Sequence, residues 1–145
     1  MNEVKCKSNR HIGKYISLLH RKGSIFINRE LSNYGIGSGQ FMFLLELYIQ
    51  DGRNQEELSE RLKIDKGTTA RALKKLEEQG FITRLKDECD KRSNKIYLTQ
   101  KAKDVQENVY DILDEWNKKL RESLSKEEED IVEKLLMKVC NNINL

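Results

Sequence analysis

Only two stretches of this 145-residue chain alternate as β-strands do, FITRLKD (81–87) and KIYLT (95–99). Between them, in ECDKRSN, nearly every side chain is charged or polar. A lone two-stranded hairpin cannot enclose a core, so it must be fixed to a body built from something else. Its tip, with nothing apolar to bury, must project. The body has to be helical: the chain has no proline and 35% charged residues, with abundant Leu, Glu and Lys.

Helical periodicity supplies that body. Ile12, Ile16, Leu19, Phe26 and Ile27 recur at near-helical spacing, with Gly35 as the expected stop. Phe41, Leu44, Leu45 and Tyr48 give a second helix a broad apolar face, broken by Asp51-Gly52. In NQEELSERLKI, Asn54 is the expected N-cap, Glu57 would complete a capping box, and Leu58 and Leu62 point inward. The segment DKGTTARALKKLEEQG reads as a further helix, capped by Asp65 and stopped by Gly80. After the hairpin, one long amphipathic helix is expected from Thr99 onward. A last one is opened by Ser125 and Glu128 in capping-box spacing.

The helix before the hairpin has two distinct faces. At about 100° per residue, Thr69, Ala72, Leu73 and Leu76 gather on one side. Thr68, Arg71, Lys74, Lys75 and Glu78 occupy the other. The first face can pack on Leu58, Leu62 and Ile64 of the preceding short helix. A solvated amphipathic helix would look similar. Here, however, the outer face is locally basic, and small residues Gly67 and Thr68 sit at the positive end of the helix dipole, where a phosphate backbone can approach. A short helix joined by a tight turn to such a helix is the helix-turn-helix arrangement, whose second helix enters the major groove. The hairpin then reads as a wing. Lys91, Arg92, Asn94 and Lys95 would reach the DNA, and Asp90 would orient Arg92 by bidentate hydrogen bonding.

These residues resemble the winged helix of the MarR family of transcription regulators. The resemblance rests on Leu76, Glu77 and Gly80 at the helix end and on Asp90 and Arg92 in the wing. Leu98 and Thr99 opening the next helix, and Gln40-Phe41 with Leu44 upstream, complete it. It runs from about residue 12 to the C-terminus, with Ala102 in place of a usual glycine and Gly37 in place of a capping threonine. It implies a mainly α fold: a winged helix-turn-helix over residues 36–99, with a two-to-three-stranded β-wing. Dimerisation helices, 8–34 and 100–145, would flank it. The implied function is a homodimeric, sequence-specific regulator of transcription, in this family most often a repressor, acting on double-stranded DNA at a pseudo-palindromic operator. Thr68, Arg71 and Lys75 become the candidate major-groove contacts and Arg92 the minor-groove contact. Lys66 and Lys91 suit phosphates, and Lys74, Asn94 and Lys95 complete the DNA-facing set. Val109, Ile112, Leu113, Trp116, Leu120, Ile131, Leu135 and Val139 exceed what a small winged helix can bury, which accords with a dimer; the alternative is a helical bundle within one chain.

The resemblance also implies two modes of control. One is a small phenolic or anionic effector, for which His20, Arg21, Met42 and Tyr48 are the candidates; the alternative is that Arg21 is ordinary surface and Met42 and Tyr48 ordinary core. The other is a thiol sensor using Cys6, beside Lys5 and Lys7, or Cys89 in the wing; Cys140 is expected to be inert. Three widely spaced cysteines do not make a disulfide framework, no run of residues suggests a leader or a membrane span, and the expected home is the cytoplasm. No metal-ligand spacing, phosphate loop, dinucleotide fingerprint or nucleophile elbow occurs, so neither a cofactor nor enzymatic activity is expected. The rival function is a winged helix used as a protein-interaction module, its basic face meeting an acidic partner. A net charge of +3 decides nothing between them; the distribution of charge does.

Overall fold

The computed structural model describes residues 11–90 and 93–144, in seven helices and one hairpin. In chain order these are α1 (Ile12–Ser32), α2 (Phe41–Ile49), α3 (Gln55–Leu62) and α4 (Lys66–Glu78). They continue as β1 (Ile82–Lys86), β2 (Asn94–Leu98), α5 (Gln100–Asp104), α6 (Gln106–Arg121) and α7 (Lys126–Asn142). The core is where the second helix, the helix-turn-helix and the root of the hairpin meet. Phe43, Leu44, Leu47, Leu58, Leu73, Leu76, Phe81 and Ile96 are all wholly buried there.

Local chemistry explains the boundaries. Asn54 accepts from the Glu57 N–H at 2.8 Å and starts α3. The other half of that expected capping box does not form; the Glu57 carboxylate lies 3.8 Å from Arg53 instead. The box at Ser125 and Glu128 forms completely. Helix α4 ends in a Schellman motif: Phe81 N–H donates to the Leu76 carbonyl and Gly80 N–H to that of Glu77. Gly80, at φ +81°, takes the left-handed conformation that a side chain would oppose. Helix α2 begins at Phe41 with Gln40 as its N-cap and no side-chain capping bond, in keeping with Gly37 standing where a hydroxyl would cap.

The hairpin is antiparallel, with Ile82 opposite Leu98 and Lys86 opposite Asn94. Its second strand is bonded on both edges. Gly52 N–H donates to the Ile96 carbonyl, Ile96 N–H to that of Arg53, and Leu98 N–H to Asp51 Oδ1; Asn54 and Lys95 form an isolated bridge. The break after α2 thus doubles as a minimal third strand, which pins the wing to the helix-turn-helix. Arg53 is itself buried, its charge facing Glu46 and Glu57, each at 3.8 Å.

Two expectations are corrected. The long helix from Thr99 is interrupted at Val105, whose backbone (φ −99°, ψ 2°) leaves the helical range. The interruption lets Ala102 and Val109 both bury fully, while the Tyr48 hydroxyl, rather than a helical amide alone, serves the Ala102 carbonyl at 2.6 Å. In addition, Val109 and Ile112 are core residues of the single chain, and Leu113 and Trp116 pack partly against that core. The apolar surplus lies elsewhere, on the exposed Ile12, Tyr15, Ile16 and Leu19 of α1 and on α7, which buries no residue at all.

Candidate nucleic-acid interface

Helix α4 owes its orientation to the turn before it. Lys63 adopts the left-handed conformation at φ +54°, and Ser59 Oγ donates to the Ile64 carbonyl at 2.5 Å across the turn. The buried face, Thr69, Ala72, Leu73 and Leu76, packs inward and leaves Lys66, Thr68, Arg71, Lys74 and Lys75 exposed. Among the described residues none of these four cations is engaged in an ion pair. Glu77 and Glu78 sit at the far end of the helix, so the exposed charge is basic toward its N-terminus.

The first turn is a linked set. Asp65 caps α4 by accepting from Thr68 N–H at 2.8 Å and from Thr68 Oγ1 at 2.7 Å. The Thr68 hydroxyl in turn accepts from Arg71 Nη2 at 3.1 Å. Those hydrogen bonds, the backbone one above all, with the nearby Arg71 charge, hold the Asp65 carboxyl below its ordinary pKa. The carboxylate therefore stays charged and keeps both Thr68 and Arg71 oriented from the cap.

In the wing, Asp87 N–H donates to the Ser93 carbonyl, Ser93 N–H donates to that of Asp90, and Cys89 N–H donates to the Asp87 carboxylate. Asn94 and Lys95 are not tip residues: they are the first two residues of β2 and only half exposed, because the edge bonding to residues 51–54 extends the strand that far. Lys91 and Arg92, and with them the expected Asp90–Arg92 pair, lie outside the described residues. Cys6 does too. Cys89 is exposed on the wing and Cys140 exposed on α7.

The four effector candidates are not assembled into one pocket by any contact on the described residues. His20 and Arg21 are exposed, and Arg21 Nη1 donates to Ser17 Oγ on its own helix. Met42 is partly exposed. The Tyr48 hydroxyl is already committed to the Ala102 carbonyl, and burial, reinforced by Tyr110, pushes its pKa up to about 12. Sequence reasoning missed Arg84 and Gln55. Arg84 Nη1 donates to Gln55 Oε1 at 3.3 Å, which ties β1 to the first residue of α3. An arginine in a wing-root strand was the available signal, but its partner lies far away in sequence.

This geometry has counterparts in known proteins. The MarR family model matches residues 36–93, which take in α2, the helix-turn-helix and β1 and stop just before β2. The HTH-type transcriptional regulator YybA of Bacillus subtilis (strain 168) is 35% identical over 132 residues, covering 88% of this chain and 85% of YybA. A crystal structure of a MarR transcriptional regulator from Methanosarcina mazei Go1 is 46% identical, with a TM-score of 0.84 over 90% of this chain and 95% of that one. The chain belongs to the MarR family. As a member it is a helix-turn-helix transcription regulator with a winged-helix fold, and not an enzyme. A MarR-family regulator from Listeria monocytogenes, solved in complex with a 26mer DNA, is 26% identical with a TM-score of 0.85, over 92% of this chain and 89% of that one. Among the described residues no helix of this MarR-family chain is long and apolar enough to cross a membrane.

Proposed function

We propose that this regulator binds duplex DNA sequence-specifically as a homodimer, on a pseudo-palindromic operator and in the repressing sense. The observation that carries the reading is the outer face of α4: unpaired cations above a capped first turn, with Thr68 and Arg71 held in fixed relation by Asp65. Thr68, Arg71 and Lys75 read bases in the major groove, Arg92 contacts the minor groove, Lys66 and Lys91 contact phosphates, and Lys74, Asn94 and Lys95 complete the DNA-facing set. Residues 36–99 form the DNA-binding unit, and 8–34 with 100–145 the dimerisation unit. The exposed apolar residues of α1 and α7 are what a second copy would cover. A dimer would set its two recognition helices about 34–36 Å apart, one turn of DNA. The expected place of work is the cytoplasm, with the DNA.

Fluorescence anisotropy across a salt series tests this, using the promoter upstream of the chain's own coding region against a scrambled duplex. Tight, salt-dependent binding that prefers the promoter supports the regulator. Arg71→Ala should relax base preference at one position, while Lys66→Ala should weaken all sequences alike and flatten the salt dependence. A protein-interaction module would show no steep salt dependence with duplex DNA. Release by phenolic acids, or by peroxide through the exposed Cys89, is tested on the same complex by adding either. Arg21→Ala and Cys89→Ser are the respective controls.

A further inference from the structure

An open cleft of about 130 Å³ lies where α3, α4 and the root of the wing converge. Gln55 and Lys66, the first residues of the two helices, line it, as do Asn94, the first residue of β2, and Ser93 just before it. Two helix N-termini thus open on one space, each a positive dipole end at which the capping side chain, Asn54 or Asp65, accepts from the N–H of the third helical residue. Thr69 forms part of the wall. Its hydroxyl is fully buried and, among the described residues, has no hydrogen-bond partner. A buried hydroxyl left in that state is costly, so its donor is available to an acceptor from the cleft side. Gln55 is oriented as well. Its Oε1 accepts from Arg84, which leaves the two amide N–H donors as its free end.

Charge narrows the occupant. Lys66 is the cation of the lining and Glu56 its acid, so the formal charges cancel and the attraction comes from neutral donors and helix ends. That suits a singly charged anion over a doubly charged one. We propose that the cleft seats one phosphodiester of duplex DNA, held by the Gln55 amide, the Asn94 amide and the Lys66 ammonium, with Arg84 as the residue that positions Gln55. The proposal rests on the DNA-binding reading above. It adds a phosphate clamp at the joint between wing and helix-turn-helix, so that the two elements grip the backbone together.

The decisive variant is Gln55→Glu. A glutamate keeps the Arg84 contact, and so the fold, but replaces both N–H donors with a negative charge. Affinity should fall at least tenfold, and equally for the promoter and scrambled duplexes, with helicity and thermal midpoint unchanged. Asn94→Ala should lower it roughly threefold to tenfold without altering base preference. If Gln55→Glu binds as the wild type does while Arg71→Ala weakens binding, the clamp is wrong and the DNA reading stands. If the wild type shows no salt-dependent binding to either duplex, both fall. Inorganic phosphate should displace DNA no better than chloride at matched ionic strength. Extra displacement that disappears in Gln55→Glu would reassign the cleft to free phosphate and overturn the clamp.

Discussion

Asp65 is where the capping of α4 and the proposed base-reading residues meet in a single side chain. Its carboxylate accepts from the Thr68 amide and hydroxyl, and the Thr68 hydroxyl accepts from Arg71. Because the folded carboxyl titrates below its ordinary value of 3.8, its contribution to stability is complete above that value. It is lost as pH falls through the lower folded value. Asp65→Asn keeps a capping oxygen but removes the titration. Urea midpoints should therefore favour the wild type at neutral pH, and the difference should shrink on acidification below 3.8. A gap that stayed constant down to the acid limit would show that the charge contributes nothing. Lys63 gives the second test at this scale. A lysine at φ +54° stores strain, of the order of 1 kcal/mol, that glycine would relieve. Glycine also loosens the unfolded chain by about 0.4–1 kcal/mol, so Lys63→Gly should be close to neutral. Lys63→Val, β-branched in a left-handed position, should cost more than about 1 kcal/mol in a denaturant titration.

At the scale of elements, much could be read directly. The ends of α1, α3 and α4 were signalled by Gly35, Asn54, Asp65 and Gly80, since caps and left-handed stops are local chemistry. The basic face of α4 was equally legible, because a 3.6-residue period sorts its side chains without knowledge of the rest. The break at Val105 was not. No glycine or proline marks it, and what it gains, burial of Ala102 and Val109 together with a bond from Tyr48, lies in other elements. Lys66 and Asn94 were legible as DNA-facing residues, but Gln55 was hidden for the same reason: the three line one cleft only once the wing has folded back. The crossing of α1 and α6 makes a further prediction. Gly23 is buried in α1, and a Cβ there would come within 2.9 Å of the Trp116 ring, which is stacked on Phe26. Gly23→Ala gains about 1 kcal/mol of helix propensity, but overpacking costs about 1–3 kcal/mol. The packing term should win, lowering the thermal midpoint, and Gly23→Val should lower it further. A stabilised alanine variant would mean that the two helices separate at little cost.

For the whole molecule, the deciding fact is α7, a 17-residue helix with a complete capping box and no buried residue. Ile131, Leu135 and Val139 recur every four residues along it, as do Val132 and Leu136, and all are exposed. A stripe of that length favours a covered face over a solvated one, since soluble monomers rarely expose large contiguous apolar patches. The exposed Ile12, Tyr15, Ile16 and Leu19 on α1 present a second such face. A second copy would bury both by one two-fold operation, and would join two DNA-reading units whose combined affinity exceeds either alone. On the proposed dimer, the wild type should sediment as a dimer and the double variant Ile131→Asp, Leu135→Asp as a monomer. Its affinity for the promoter duplex should fall by 100-fold or more, on the order expected when linkage between two sites is lost. Its thermal midpoint should also be lower and independent of protein concentration, whereas that of the wild type should rise with concentration. Far-ultraviolet helicity measured alongside separates loss of assembly from loss of the fold. A variant that stays dimeric and binds DNA undiminished would move the interface off α7, and would leave that helix waiting for a different partner.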